Sequence, residues 1–186
     1  MTFSLAFFVA ESPSDAQVAD WFESTMPERV ATARLARAST PYPTHLIVVD
    51  DEHPVTGASF DGCPMGDPVS IVSGTEIFAA SSDVEPALSA IPNGSTMYFP
   101  LLNVDREIEA DFNEWYNQIH VPMVEDAGLR RAHRYRAHTG IHKYFARYVM
   151  DAPDTLSSDA IQAVRGFDQF TGRVYDLMRI VAQVLR

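Results

Sequence analysis

DWFESTMPERVATARLARA at Asp20–Ala38 and EWYNQIHVPMVEDAGLRRA at Glu114–Ala132 carry one pattern twice, 94 residues apart. Trp21 meets Trp115, Phe22 meets Tyr116, Val30 meets Val124 and Ala33 meets Ala127. Leu35 then meets Leu129, Arg37 meets Arg131 and Ala38 meets Ala132. The chain has only two tryptophans, and both fall at the same repeat position. Further along the offset becomes 97, so that His45 meets His142 and Thr75–Phe78 meets Gly172–Tyr175. An offset of about half of a 186-residue chain implies duplication of one supersecondary unit.

Working outward, the apolar stretch TMYFPLLNV at Thr96–Val104 reads as a strand. Pro100 inside it predicts an edge or a bulge. Asp105 is placed to cap the helix after it, with Glu107 and Glu109 favouring its N-terminus. Ile108, Phe112, Trp115, Ile119 and Met123 fall at helical spacing and predict one buried stripe. Pro122 is expected to end or kink the helix near Val121, and Gly128 to cap it. Leu129–Ala137 alternates, with Arg131, His133 and Tyr135 on one face and Arg134, Arg136 and His138 on the other. After a turn at Thr139-Gly140, Lys143–Met150 forms the third strand, with Tyr144, Ala146 and Tyr148 on one face. A second helix opens near Ala152-Pro153-Asp154 and runs to Val164, Gly166 caps it, and Arg173–Val181 supplies a fourth strand that can run into a final helix. The first half has the same order: strand 3–10, helix 14–27, strands 34–40 and 45–51, a long loop from His53 to Pro68, and strand 69–79.

The expected class is α+β, built from tandem ferredoxin-like βαββαβ repeats. Residues 1–80 form a degenerate first repeat, 81–94 a linker, and 95–186 the repeat that carries the site. Each repeat gives a four-stranded antiparallel sheet with helices on one face. The bare faces are expected to close against each other into an intrachain barrel whose interior holds a small ligand.

Composition bounds the partners. The formal net charge of −11 argues against nucleic acid and against anionic membrane surfaces. The one basic cluster, RRAHRYRAH at 130–138, suits a local site or ion pairs. Cys63 is the single cysteine, which excludes an intrachain disulfide and fits a cytoplasmic protein. The opening MTFSLAFFVAES lacks a basic flank and reads as a buried strand rather than a leader, and no apolar run reaches the ~18 residues of a membrane span. A barrel closed within one chain needs no partner, yet its outer surfaces leave room for a homodimer.

The string DFNEWYNQIHVP at Asp111–Pro122 resembles the helix of the dimeric α+β barrel superfamily, in particular EthD-like members with a (D/E)FN(D/E)WYxxxHxP pattern. LRRAHRYRA at 129–137 and KYFARYV at 143–149 resemble the next two strands of that family, and the match covers residues 95–180. In the first half Met26 and Pro27 stand where His120 and Val121 stand, which implies that this half lost the family's histidine and serves as scaffold and pocket wall. The resemblance implies a ferredoxin-like unit and a range of activities: cofactor-free isomerases, cyclases, lyases and decarboxylases, oxygenases of polycyclic quinols, and haem-degrading enzymes. Fold alone fixes none of these.

His120 is the leading candidate for general acid/base, because imidazole takes and returns a proton near neutral pH. The plainer reading is a histidine at a helix C-terminus. Tyr116, one turn earlier, can donate to a developing oxyanion, or it can be a core aromatic with its hydroxyl at the surface. Arg134 is the candidate for holding developing negative charge, set against an ordinary ion pair. Trp115, Asn103, Arg131, His133, Tyr135 and Tyr144 are candidate substrate contacts, with Trp115 also expected in the core. His133, His138 and His142 lack metal-ligand spacing, so no metal is expected. Cys63 has no neighbour that would lower its pKa and reads as a bystander. No GxGxxG, Walker or GxSxG motif is present, and no cofactor is expected. The resemblance, with the expected pocket, implies a cofactor-independent enzyme doing proton-transfer chemistry on a hydrophobic aromatic or polyketide-like molecule. A monooxygenase or haem-binding relative, and a non-catalytic ligand-binding protein, stand as alternatives.

Overall fold

The computed structural model describes residues 2–9, 13–25, 33–39, 43–51, 55–80 and 88–186. The expected ends at Ala10, Met26-Pro27, Thr40 and His53, the repeat position Val30, and residues 81–87 of the linker lie outside the described residues. In chain order the elements are β1 (Thr2–Phe8), α1 (Asp15–Thr25), β2 (Ala33–Ala38), β3 (His45–Asp51), β4 (Ser70–Ala79) and β5 (Thr96–Val104). Then come α2 (Glu109–Trp115), a π-helical turn (Tyr116–His120), α3 (Val121–Asp126), β6 (Leu129–Ala137), β7 (Tyr144–Met150), α4 (Asp159–Val164) and β8 (Val174–Val184). The expected final helix is replaced by β8, which continues to Val184 as strand.

The eight strands close into one antiparallel barrel in the order β1-β3-β2-β8-β5-β7-β6-β4. The pairing order of the first half, β4-β1-β3-β2, recurs in the second as β8-β5-β7-β6. This is an α+β barrel made of two ferredoxin-like sheets, joined at the seams β2–β8 and β4–β6. The ladders correct the later part of the internal alignment. With Thr2 matched to Thr96, Asp51 corresponds to Met150 and Thr75 to Gln183, so the matches at offset 97 do not hold.

The barrel interior is a core, not a ligand chamber. Phe3, Leu5, Phe7, Met97, Phe99, Leu101, Tyr135 and Phe145 fill it and are buried. Tyr135 stacks on Phe3 at 4.6 Å and on Phe145 at 4.8 Å, and the two phenylalanine rings lie 5.9 Å apart. Leu88 and Ile91, in and beside a short 3₁₀ turn (Leu88–Ala90), belong to the same cluster. The expectation of a ligand inside the barrel fails because eight strands leave an interior that large side chains fill.

The outward faces of the two sheets carry the helices. Behind the first half, Val18, Ala19 and Phe22 of α1 pack on Phe8, Leu35, Ile47 and Val49. Phe60, Cys63 and Met65 from the loop between β3 and β4 complete that layer. Cys63 is therefore a core residue, and burial raises its thiol pKa and keeps it inert. Behind the second half lie α2, the π turn, α3 and α4, over Tyr98, Leu102, Tyr144, Ala146 and Tyr148. Pro100 is not on an edge strand: β5 is paired on both sides, and its ladder with β7 skips Phe99 and Pro100. Asp105 does not cap the helix with its side chain but binds Arg173.

Candidate active site

The helical stretch 109–126 passes straight through Pro122 instead of ending there. A proline has no N–H and crowds the carbonyl four residues back. Here the chain widens by one residue, and the Val121 N–H donates to the Tyr116 carbonyl five residues earlier. One added residue turns the remainder of the stretch by about 100° relative to a straight helix. The predicted stripe is broken by that turn: Phe112 and Trp115 are buried, but Ile119 is 49% and Met123 38% exposed. Tyr116, His120, Val121 and Val124 turn inward in their place. The π turn is what presents Tyr116 and His120 to the sheet.

A cavity of about 120 Å³ lies between this stretch, α4 and the outer face of the second sheet. Tyr116, His120 and Val124 line it from the helical side, and Tyr98, Pro100, Tyr148 and Leu177 from the sheet. Leu156, Ile161, Arg165, Gly166 and Phe167 line it from the segment around α4, and Arg179 from β8.

His120 is held by rings rather than by hydrogen bonds. Trp115 stacks on it at 5.0 Å and 28°, Tyr116 meets it edge-on at 4.7 Å, and Phe167 lies at 6.3 Å. Burial pushes its pKa down to about 4, with the nearby Arg134 charge acting in the same direction and Asp168 opposing both. The imidazole is therefore neutral at pH 7, with ring nitrogens that no hydrogen bond of the described residues claims.

Tyr116 and Tyr148 share one hydrogen bond between hydroxyls at 3.2 Å, and Tyr148 stacks on Tyr98 at 6.0 Å. One hydroxyl of the bonded pair thus keeps a hydrogen to donate elsewhere. Burial raises the pKa of Tyr116 and Tyr148, and takes Tyr98 up to about 12 against the pull of Arg179 beside its hydroxyl. All three are neutral donors at physiological pH.

Arg134 is buried behind this layer, with its guanidinium 3.9 Å from the centre of the Tyr116 ring. Nη2 donates to Asn113 Oδ1 at 2.8 Å and Nη1 to Asn117 Oδ1. Arg134 does not line the cavity; it reaches a small void beside it and lies against the Tyr116 ring.

The other expected contacts separate. Trp115 backs His120 but does not line the cavity. Tyr144 hydrogen-bonds Glu109 and accepts from Asn113, away from the cavity. Asn103 is tied to Asp176, the Ile141 carbonyl and the Lys143 amide at the far end of β5. His133 and Tyr135 point into the barrel, where His133 pairs with Glu76 at 2.9 Å. Arg131 is exposed and takes a positive φ of 55° at a bulge between Arg130 and His133, which breaks the expected alternation. Among the described residues no group of three His, Cys, Asp or Glu can hold a metal ion, and no helix is long and apolar enough to cross a membrane. Sequence reasoning missed Tyr98, Tyr148, Phe167, Arg165 and Arg179 as site residues. The first two are legible as aromatic positions on paired strands, whereas the others sit in segments without a motif.

No family model matches the sequence, and no curated protein matches it. Solved structures do. A monooxygenase-like protein of Fusobacterium nucleatum aligns over 100% of this chain and 92% of its own, with TM-score 0.62 and 13% identity. An anthrone oxidase-like protein aligns over 100% and 91%, with TM-score 0.63 and 11% identity. The chlorite dismutase of Candidatus Nitrospira defluvii aligns over 100% and 91%, with TM-score 0.68 and 8% identity. What this chain shares with all three is the dimeric α+β barrel fold.

Proposed function

We propose that the chain is an enzyme of the isomerase, cyclase, lyase or decarboxylase type that moves a proton on a small aromatic molecule, without a cofactor. The observation that carries this is His120, a neutral imidazole buried at the wall of a ring-lined cavity with unclaimed nitrogens. In this reading His120 removes a proton from a phenolic or enolisable substrate. A base whose conjugate acid sits near 4 is weak, so the substrate must itself be acidic, and the oxyanion formed beside the imidazolium stabilises it. The free hydroxyl hydrogen of the Tyr116–Tyr148 pair donates to that oxyanion. Arg134 is a positioning residue that holds the Tyr116 ring.

A monooxygenase begins with the same deprotonation and then passes electrons from the carbanion to dioxygen. The monooxygenase-like and anthrone oxidase-like names among the structural neighbours favour this second reading. A haem does not fit: the cavity of about 120 Å³ is well below the ~300–1,000 Å³ of sites for drug-sized ligands. The EthD-like string and the recurring pairing order support an internally duplicated member of that family, with residues 1–80 as scaffold and 95–186 bearing the site.

The test uses phenols and enolisable aryl ketones in D₂O, with deuterium incorporation read by NMR and oxygen uptake by electrode. Wild type should accelerate exchange, and His120→Gln should lose roughly 100- to 10,000-fold of it. Full exchange in His120→Gln would sink the mechanism. Oxygen uptake that depends on His120 would select the monooxygenase reading.

A further inference from the structure

We infer that the ligand of this cavity is an anion: an aromatic carboxylate whose ring lies among the tyrosines and whose carboxylate is held at the mouth by Arg165 and Arg179. This rests on reading the cavity as the ligand site. The cavity is lined by two guanidinium groups and by no carboxylate. Both arginines are exposed, so they stand where the cavity meets solvent, while Tyr98, Tyr116 and Tyr148 form its buried wall.

Acidic residues outnumber Lys and Arg by 25 to 14, and Arg37, Arg130, Arg173 and Arg186 each pair with an Asp or Glu within 3.2 Å. Among the described residues Arg165 and Arg179 have no carboxylate partner. Arg106 and Arg131 are likewise without a carboxylate partner among the described residues, but neither lines the cavity. Arg165 is instead steadied by donating to Gln162 Oε1 at 2.9 Å, at the C-terminus of α4. Arg179 lies beside the Tyr98 hydroxyl.

That arrangement sets the chemistry of the mouth. A chain of net charge −11 repels anions over most of its surface, and two cations at one opening, set against the nearby carboxylate of Asp168, reverse this locally. Guanidinium planes match a carboxylate, with two parallel hydrogen bonds each. A ligand anchored in this way directs its far end inward, toward His120, where a phenolic or enolisable group would meet the base.

The experiment is calorimetric titration of wild type and the double variant R165Q/R179Q with benzoate, cinnamate and the matching carboxamides, at low and high salt. Both substitutions are at exposed positions, so the fold stands. Each acid should bind wild type about tenfold or more tightly than its amide, and salt should weaken only the acids. The double variant should erase that gap and leave the amides unchanged. Equal affinity of acid and amide in wild type, or a gap that survives in R165Q/R179Q, overturns the inference and leaves the aromatic cavity standing. Failure of both acid and amide to bind wild type overturns the cavity reading and the anion with it.

Discussion

Behind β1 and β3, the first sheet's outer face is sealed by Val18, Ala19 and Phe22 of α1 and by Phe60, Cys63 and Met65 of a loop. Behind β5 and β7, the matching face is only partly covered, and Tyr98, Pro100 and Tyr148 look onto a cavity. The sheets share one strand order, so the sheet does not make the site. The covering layer does. In the first half Phe60 packs edge-on against Phe8 at 5.3 Å. In the second half the covering chain is Arg165-Gly166-Phe167, with Gly166 at φ 126°, and it leaves the centre open.

This difference predicts unequal responses to truncation. Phe60→Ala removes a ring from a filled layer and should cost about 3–5 kcal/mol. Leu177→Ala removes atoms that already face open space and should cost about 1 kcal/mol, since few packing partners are lost. Urea unfolding of the two variants measures both. Equal losses would mean that the two layers are packed alike and that the cavity is not maintained in solution.

His120 gives the next largest effect. Its pKa is about 4 in the fold against 6.5 in the open chain, so the unfolded state binds more protons between those values. Stability therefore rises with pH across that window. It is complete above pH 6.5, and about 3 kcal/mol is lost as pH falls to 4. His120→Gln removes this titration, so the stability difference between variant and wild type should shift by that amount from pH 7 to pH 4. A difference independent of pH would place His120 in solvent. The same neutral base predicts an exchange rate that is flat near neutrality and falls only as pH drops toward 4.

Much of this is legible in the sequence, for identifiable reasons. Alternating apolar residues locate the strands, and the rare Trp115 inside DFNEWYNQIHVP marks the helical stretch with Tyr116 and His120. Three features are not. The π turn replaces an i→i−4 bond with i→i−5, which no 3.6-residue pattern encodes, so periodicity puts Ile119 and Met123 inside and leaves Val124 out. The bulge at Arg131 shifts the parity of β6 by one and separates Arg131 from His133 and Tyr135. The side of the sheet that holds the cavity depends on how completely loops distant in sequence cover it, and Phe60 or Phe167 carries no local mark of that role.

The smallest expected effect decides what sets the register of His120. Two causes compete for the π turn: Pro122, which cannot donate to the Gln118 carbonyl, and the burial of Tyr116, His120, Val121 and Val124 against the sheet. Pro122→Ala restores a donor and offers about 1 kcal/mol for a regular helix. Rewinding would swing Val121 and Val124 toward water, at about 1.5–3 kcal/mol for each. Packing therefore wins, and Pro122→Ala should change stability by under about 1 kcal/mol and leave His120 titrating near 4. NMR titration of the His120 ring reads the outcome. A pKa that returns toward 6.5 would mean that the proline holds the turn and that the covering layer of the second half, unlike that of the first, is set by one residue.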